Sequence, residues 1–224
     1  MRVMYPSNIW EAGTNVIEDF RSRARGEREL TCCRQVAGLV AQITQPGMSL
    51  LDAACGTGHF YHSLRKAAPR VEYWGIDSSR ILIDIGREEL RKAGLHSSHL
   101  QVQDMAAVDA TYDIVVSMNT LCFMPDYKIY LDRLLYAANH ALILRMSMSD
   151  AESRSYLVDG YCDPQYQFMK LYFNTYATAE VIAFVEESGF SAGHVTDEFT
   201  KDGEEIVAGD KKLYRKILVC KRRT

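Results

Sequence analysis

The run Ser49-Leu50-Leu51-Asp52-Ala53-Ala54-Cys55-Gly56-Thr57-Gly58 constrains the fold of this chain more than any other stretch. An apolar segment ends in a carboxylate and then breaks into small residues. Met48 to Leu51 fits a short buried strand, and Asp52 at its carboxyl end is expected to project into the crevice where open parallel sheets bind ligands. Ala54, Gly56 and Gly58 let the backbone turn sharply and approach a ligand closely, because larger side chains would obstruct it. Taken alone, such a Gly-x-Gly suits an ordinary tight turn as well as a nucleotide loop.

The residues around the glycines narrow that choice. Leu51-Asp52-Ala53-Ala54-Cys55-Gly56-Thr57-Gly58 closely resembles the first motif of the class I S-adenosylmethionine-dependent methyltransferases: an apolar pair, Asp or Glu, then Gly/Ala-Cys-Gly-Thr-Gly. Ala54 stands where that family has its first glycine, a mild departure. A dinucleotide loop expects three glycines and a phosphate at the following helix N-terminus. S-adenosylmethionine has no phosphate, and its amino-acid end carries an ammonium that a carboxylate such as Asp52 complements. The acid therefore favours a methyl donor over NAD. The resemblance implies S-adenosyl-L-methionine as cofactor, with Asp52, Ala54, Gly56 and Gly58 among the residues that bind it.

A chain of 224 residues, 47% hydrophobic, is large enough for one sizeable core. We expect an N-terminal helical cap over residues 1–47 and a Rossmann-like methyltransferase domain over 48–224, with an aromatic lid inserted at about 149–177. The 26 basic and 29 acidic residues are well mixed and leave a net charge of −3, so no strong field attracts nucleic acid. The terminal Lys221-Arg222-Arg223 cluster reads as a solvated tail. Six cysteines lack the Cys-x-x-Cys or nearby-His spacing of a zinc site and read as reduced thiols, so no metal is expected. No hydrophobic signal core opens the chain, and no apolar run approaches membrane-spanning length. A cytoplasmic protein with no membrane partner is the expectation.

Apolar residues at helical spacing, Leu30, Cys33, Ala37, Val40 and Ile43, predict one amphipathic helix before Pro46-Gly47, after a highly charged stretch from Asn15 to Arg28. Beyond the loop, a helical stripe of Phe60, Leu64 and Ala67 leads to a second strand, Val71 to Asp77. A helix over Arg80 to Ala93, a strand at Leu100 to Asp104 and an apolar strand at Tyr112 to Ser117 follow. Tyr127, Leu131, Leu134 and Ala138 mark another helix, and Ala141 to Leu144 a fifth strand. This alternation predicts a parallel sheet with right-handed crossovers. A helix from Thr178 to Ser188 precedes strands at Phe190 to Phe199 and Leu213 to Cys220, which are expected to pair as a hairpin. The fold class is thus α/β, and the resemblance makes it a Rossmann-like seven-stranded class I methyltransferase sheet, with helices on both faces and an antiparallel last strand.

Asp77 lies 19 positions after Gly58, near where nucleotide folds of this topology place a ribose-binding acid. In Asp77-Ser78-Ser79 any of the three could instead cap the next helix. By the resemblance Asp77 is the acid at the end of the second strand, with Ser78 beside it. The family places an Asp for the adenine amino group after the third strand, where Asp104 stands here. Met105 would pack on the ring; the alternative is a turn-forming Asp. Ser117 and Asn119 end the fourth strand, beneath the expected methyl group. Many relatives carry a His-His pair just after it, where this chain reads Thr120-Leu121-Cys122-Phe123-Met124-Pro125-Asp126. Neither histidine is present, which removes one candidate general base. Cys122 reads as a small buried side chain, and His194 as structural. His59 either touches the cofactor or starts the helix after the loop.

Methyl transfer from a sulfonium is an in-line displacement, and alignment of donor and acceptor about 3 Å apart in a dry site supplies much of its acceleration. A dedicated base is optional for an amine, acidic hydroxyl or thiol acceptor. Acceptor recognition is expected from two places outside the common sheet. Tyr5 and Trp10 could close over the sulfonium. Tyr156, Tyr161, Tyr166, Phe168, Tyr172, Phe173, Asn174 and Tyr176 crowd within 21 residues of an unusually long connection. Substrate-binding candidates are Tyr5, Trp10, Arg145, Tyr161, Tyr166, Tyr172 and Asn174; Arg145 would suit an acidic acceptor or pair with a surface carboxylate. Asn119, Tyr172 and Tyr176 are weak catalytic candidates. The leading reading is a methyltransferase acting on an oxygen or nitrogen of a small molecule: a sugar, natural product or metabolite. The alternatives are a protein-directed enzyme and a cofactor-binding accessory subunit without turnover. Asn119-Thr120-Leu121-Cys122 lacks the base-handling motif of nucleic-acid methyltransferases.

Overall fold

The computed structural model describes residues 9–158, 162–207 and 211–223. Helices α1 (Thr14–Ala24) and α2 (Thr31–Ile43) precede strand β1 (Ser49–Ala53). There follow α3 (Phe60–Ala67), β2 (Glu72–Asp77), α4 (Arg80–Lys92), β3 (Leu100–Val102), β4 (Tyr112–Met118), α5 (Tyr127–Ala137) and β5 (Ala138–Ser149), with only a short turn between β3 and β4. The connection after β5 holds β6 (Tyr156–Val158), β7 (Lys170–Tyr172) and β8 (Tyr176–Ala177), followed by α6 (Thr178–Glu187), β9 (Phe190–Val195), β10 (Glu204–Val207) and β11 (Lys211–Arg222).

The central path runs β10-β11-β5-β4-β1-β2-β3, with β9 on β11 and β8 on β5. Strands β1 to β5 are parallel, whereas β11 is antiparallel to β5 and to β9. The expected parallel sheet with an antiparallel last strand is present. Its seven principal strands are extended to nine by the short β8 and β10. The expected late hairpin is the β9–β11 pair, but β9 stops at Val195, because Asp197 leaves the ladder to accept hydrogen bonds from Arg145 and Thr200.

Strand alternation divides the core between the two faces of the sheet. Leu51, Val115, Leu142, Leu144 and Leu218 meet α5 and α6 on one side. Their sequence neighbours Leu50, Ile114, Val116, Ile143 and Ile217 meet α2, α3 and α4 on the other. Each of these fully buried side chains contributes about 1.5–3 kcal/mol relative to exposure, so register and layer order are strongly specified.

Helix α1 is the element that the charge pattern conceals. Of its residues only Ala24 is fully buried, and Arg21–Glu18 and Arg23–Asp19 pairs line it. It packs on α4 and brings the N-terminal segment over the loop after β1. Among the described residues, no helix is long and apolar enough to cross a membrane.

Candidate functional site

The loop after β1 turns through left-handed backbone at Ala54 (φ 61°), Gly56 (φ 59°) and Gly58 (φ 72°). Such a conformation costs a non-glycine residue about 1–2 kcal/mol, which Ala54 bears where the related motif has glycine. A Cβ on Gly56 would stand 2.7 Å from the Phe20 ring of α1. On the other side the loop backbone rests on α4: a Cβ on Gly86 would lie 2.4 Å from the Thr57 carbonyl oxygen. Thr57 in turn donates from Oγ1 to the Phe20 carbonyl at 3.3 Å. The loop is held between two helices.

Asp77 clasps the same loop. Its Oδ2 accepts from the Gly56 N–H and its Oδ1 from the Ser79 N–H, both at 2.8 Å. Burial raises its pKa, these two donors oppose the rise, and Glu11 adds to it. The helix cap is Ser79, whose Oγ accepts from the Leu82 N–H at 3.2 Å and donates to Glu11 at 2.6 Å. Ser78 is exposed. The Asp77 carboxylate therefore stays at the end of β2, next to the loop.

Asp52 departs from expectation. Instead of projecting free into the crevice it is buried, and it accepts from the Tyr73 hydroxyl at 2.8 Å beneath the loop. Burial lifts its pKa to about 7; the Tyr73 bond acts against the rise and Asp77 with it. At neutral pH the group is poised between its two states, and a cation arriving nearby would favour the carboxylate.

After β3, Asp104 caps the turn Met105–Ala107 by accepting from the Ala106 N–H at 2.7 Å, while remaining exposed. The turn-forming alternative is thus realised. Met105 is buried, and the Ser117 hydroxyl lies 3.9 Å from its sulfur. Asn119 adopts left-handed backbone (φ 64°), an uncommon strain that concentrates at functional sites. Its Oδ1 accepts from Arg145, and its Nδ2 lies 3.9 Å from Cys32 Sγ at the start of α2. Cys33 donates to Cys32, lowering the Cys32 pKa and raising its own.

Arg145 does not face an acceptor. It is buried and grips Asp197 through Nε (2.7 Å) and Nη2 (3.0 Å). Burial alone would raise the Asp197 pKa; the Arg145 fork overrides it and holds the carboxyl below its usual range. Two further candidates prove to be internal. Tyr176, 1% exposed, donates to the Met124 carbonyl at 3.0 Å, and Asn174, 0% exposed, donates to both at 2.9 and 3.0 Å. Together they pin the segment after β4, so neither can touch an acceptor without repacking. Burial pushes the Tyr176 phenol up to about 12, so it stays protonated at neutral pH.

Tyr172 is half-buried and packs on Tyr156 with ring centroids 4.5 Å apart, across the β6–β7 pair. Trp10 meets Phe123 edge-on at 5.2 Å, and Phe123 meets Phe173 at 5.8 Å. Tyr166 joins this cluster, which bridges the N-terminal segment, the turn after β4 and the long connection. Tyr5 and Tyr161 lie outside the described residues. Cys122 is buried and accepts from Arg215 at 3.0 Å, while His194 pairs with Asp202 at 2.9 Å. His59 sits at the start of α3, its ring 6.0 Å from Phe20, with burial lowering its pKa to about 3.

The structure thus brings Ala54, Gly56, Gly58, Asp77, Ser117 and Asn119 to the carboxyl ends of β1, β2 and β4, with Asp52 just beneath. Ser79 was among the three cap candidates, whereas sequence reasoning missed Tyr73, Glu11, Phe20 and Gly86. Of these only Gly86, a glycine inside a helical pattern, carried a local signal. A surface concavity of about 660 Å³ lies elsewhere, lined by Thr111, Asp132, Leu135, Tyr136, Asn139, Ser188 and Arg222, and shares no residue with this cluster. The residues present fit S-adenosylmethionine: a glycine-turned loop and a strand-ending carboxylate of the kind that can accept hydrogen bonds from ribose hydroxyls stand side by side at the ends of β1 and β2.

A family model described as a methyltransferase domain matches residues 44–210. The demethylmenaquinone methyltransferase of Bacillus cytotoxicus is 31% identical over 87 residues, 37% of this chain and 37% of the relative, so the match spans little more than a third of that relative's length. Among solved structures, the magnesium protoporphyrin IX methyltransferase of Synechocystis PCC 6803 with bound SAM has 18% identity and a TM-score of 0.62, covering 95% of this chain and 93% of that one. A S-adenosylmethionine-dependent methyltransferase of Clostridium acetobutylicum has 12% identity and a TM-score of 0.59, covering 94% and 98%. At these identities the structural likeness shows the fold, and the family match over most of the chain shows the membership. The chain belongs to the class I S-adenosylmethionine-dependent methyltransferases.

Proposed function

We propose that this chain transfers a methyl group from S-adenosylmethionine to an oxygen or nitrogen of a small molecule such as a sugar, natural product or metabolite. The observation that carries the small-molecule reading is the aromatic cluster of Trp10, Phe123 and Phe173, which joins the N-terminal segment and the connection after β5 beside the end of β4. An apolar aromatic cluster of this kind suits a compact acceptor and helps to keep water from the reaction. The net charge of −3 gives no footprint for a nucleic acid.

S-adenosylmethionine supplies an electrophilic methyl group on a sulfonium. The protein's part is positioning. Asp77 holds the glycine loop and offers a carboxylate to ribose hydroxyls, and Asp104 with Met105 suits the adenine. Asp52 complements an ammonium from beneath the loop. Asn119, held in its left-handed turn by Arg145, presents its backbone beside the methyl group. Tyr176 is committed to Met124 and is not available as a base; an acceptor that loses its proton readily needs no dedicated one.

A screen for S-adenosylhomocysteine production against panels of small hydroxyl and amine acceptors, with proteins and nucleic acids as controls, tests this. Turnover on a small molecule is expected. Turnover on protein alone would make the enzyme protein-directed, and silence across every panel would leave a cofactor-binding accessory subunit.

A further inference from the structure

Helix α1 places a guanidinium over the glycine loop. Arg23 pairs through Nη2 with Asp19, one turn earlier, but its Nε is buried and has no hydrogen-bond partner among the described residues. Its guanidinium carbon stands 4.9 Å from the centroid of the Phe20 ring. Phe20 is the residue that a Cβ on Gly56 would strike, and its carbonyl accepts from Thr57. The guanidinium is thus anchored through Phe20 to the loop that approaches the ligand.

Its charge reaches the same place. Arg23 lowers the pKa of His59, beside the loop, and opposes the rise at Cys33, whose pKa Asp52 helps to raise. A positive and a negative group therefore act on one small region between the loop and the start of α2. Asp19, the present partner of Arg23, also takes Arg28, so it keeps a cation when Arg23 turns to another acceptor. A buried donor without an acceptor is rare and calls for an explanation. Arginine presents Nε and an Nη as parallel donors, a fork that matches a carboxylate.

We infer that Arg23 receives the carboxylate of the cofactor's amino-acid end while Asp52 complements its ammonium, so that the loop and α1 together read a zwitterion. This rests on the cofactor lying along the loop at Asp52 to Gly58, as proposed above. It assigns α1, the helix hidden by its own charges, a direct part in holding the methyl donor.

Isothermal titration of the full chain with S-adenosylhomocysteine and with 5′-methylthioadenosine tests the inference, because the second ligand keeps the adenosine and thioether but lacks the amino-acid end. Arg23→Ala is expected to weaken S-adenosylhomocysteine binding roughly 10- to 100-fold and to leave 5′-methylthioadenosine binding unchanged. Arg23→Lys, which keeps the charge and loses the fork, should fall between. Unchanged S-adenosylhomocysteine binding by Arg23→Ala would overturn the inference, as would equal weakening of both ligands. Asp77→Ala separates this from the placement of the cofactor and should weaken both ligands alike. If it alters neither, the placement falls and the role of Arg23 with it; if it weakens both while Arg23→Ala is silent, only the role of Arg23 falls.

Discussion

Asp77 accepts from the backbone N–H of Gly56, 21 residues earlier in the chain, at 2.8 Å, and from that of Ser79 at the same distance. One carboxylate thus ties the end of β2 to the loop after β1 and to the start of α4. Asp77→Asn keeps the shape but leaves a single acceptor oxygen, so one of the two N–H groups loses its partner. The expected cost is about 1–3 kcal/mol in chemical denaturation. A stability equal to the native value would show that this clasp contributes nothing.

Asp52 gives the fold a pH dependence of definite sign. Its folded pKa is about 7, raised from 3.8 by burial beneath the loop. Between those values the folded chain binds a proton that the unfolded chain has released. The stability it contributes is complete below the lower value and is lost as pH rises towards the upper one. Asp52→Asn removes this loss. Its stability relative to the native chain should therefore rise by about 2–3 kcal/mol between pH 5 and pH 8, measured by urea unfolding at both. A difference that does not change with pH would contradict a raised pKa at this position.

Gly86 is required by contact. A Cβ there would sit 2.4 Å from the Thr57 carbonyl oxygen, a backbone atom that cannot swing aside as a side-chain tip would. Although alanine favours helix by up to about 1 kcal/mol over glycine, Gly86→Ala should destabilise the chain by about 1–3 kcal/mol and weaken S-adenosylhomocysteine binding as the loop shifts. A stabilised variant with native affinity would mean that loop and helix are not in contact.

Arg145 and Asp197 form a buried pair across 52 residues. Removing one partner leaves an uncompensated charge, and Arg145→Met should cost about 3–5 kcal/mol. Replacing both, Arg145→Met with Asp197→Leu, should recover a large part of that loss in thermal unfolding, because neither charge is then stranded. If Arg145→Met kept native stability and raised only the acceptor KM, the residue would face the acceptor after all.

The sequence by itself determined the layers and the family of the fold. Strand-ending carboxylates follow apolar runs at Asp52, Asp77 and Asp104, and that pattern is local: a strand of known length must deliver its last side chain to the same edge of a parallel sheet. The apolar stripes of α2, α3 and α5 were legible for the same reason. Helix α1 was not, because its few apolar contacts lie among charges that satisfy one another along its surface. Tertiary structure alone decided what each polar group does. Arg145 and Asn119 stand close in the fold but 26 residues apart in the chain, and Tyr176 looks like a lid residue until packing buries it on Met124. A one-dimensional pattern tells which face a residue is on. Only the closing of strands and helices upon one another tells which partner a buried charge must find, since desolvation compels it to take whichever one the packing brings within reach.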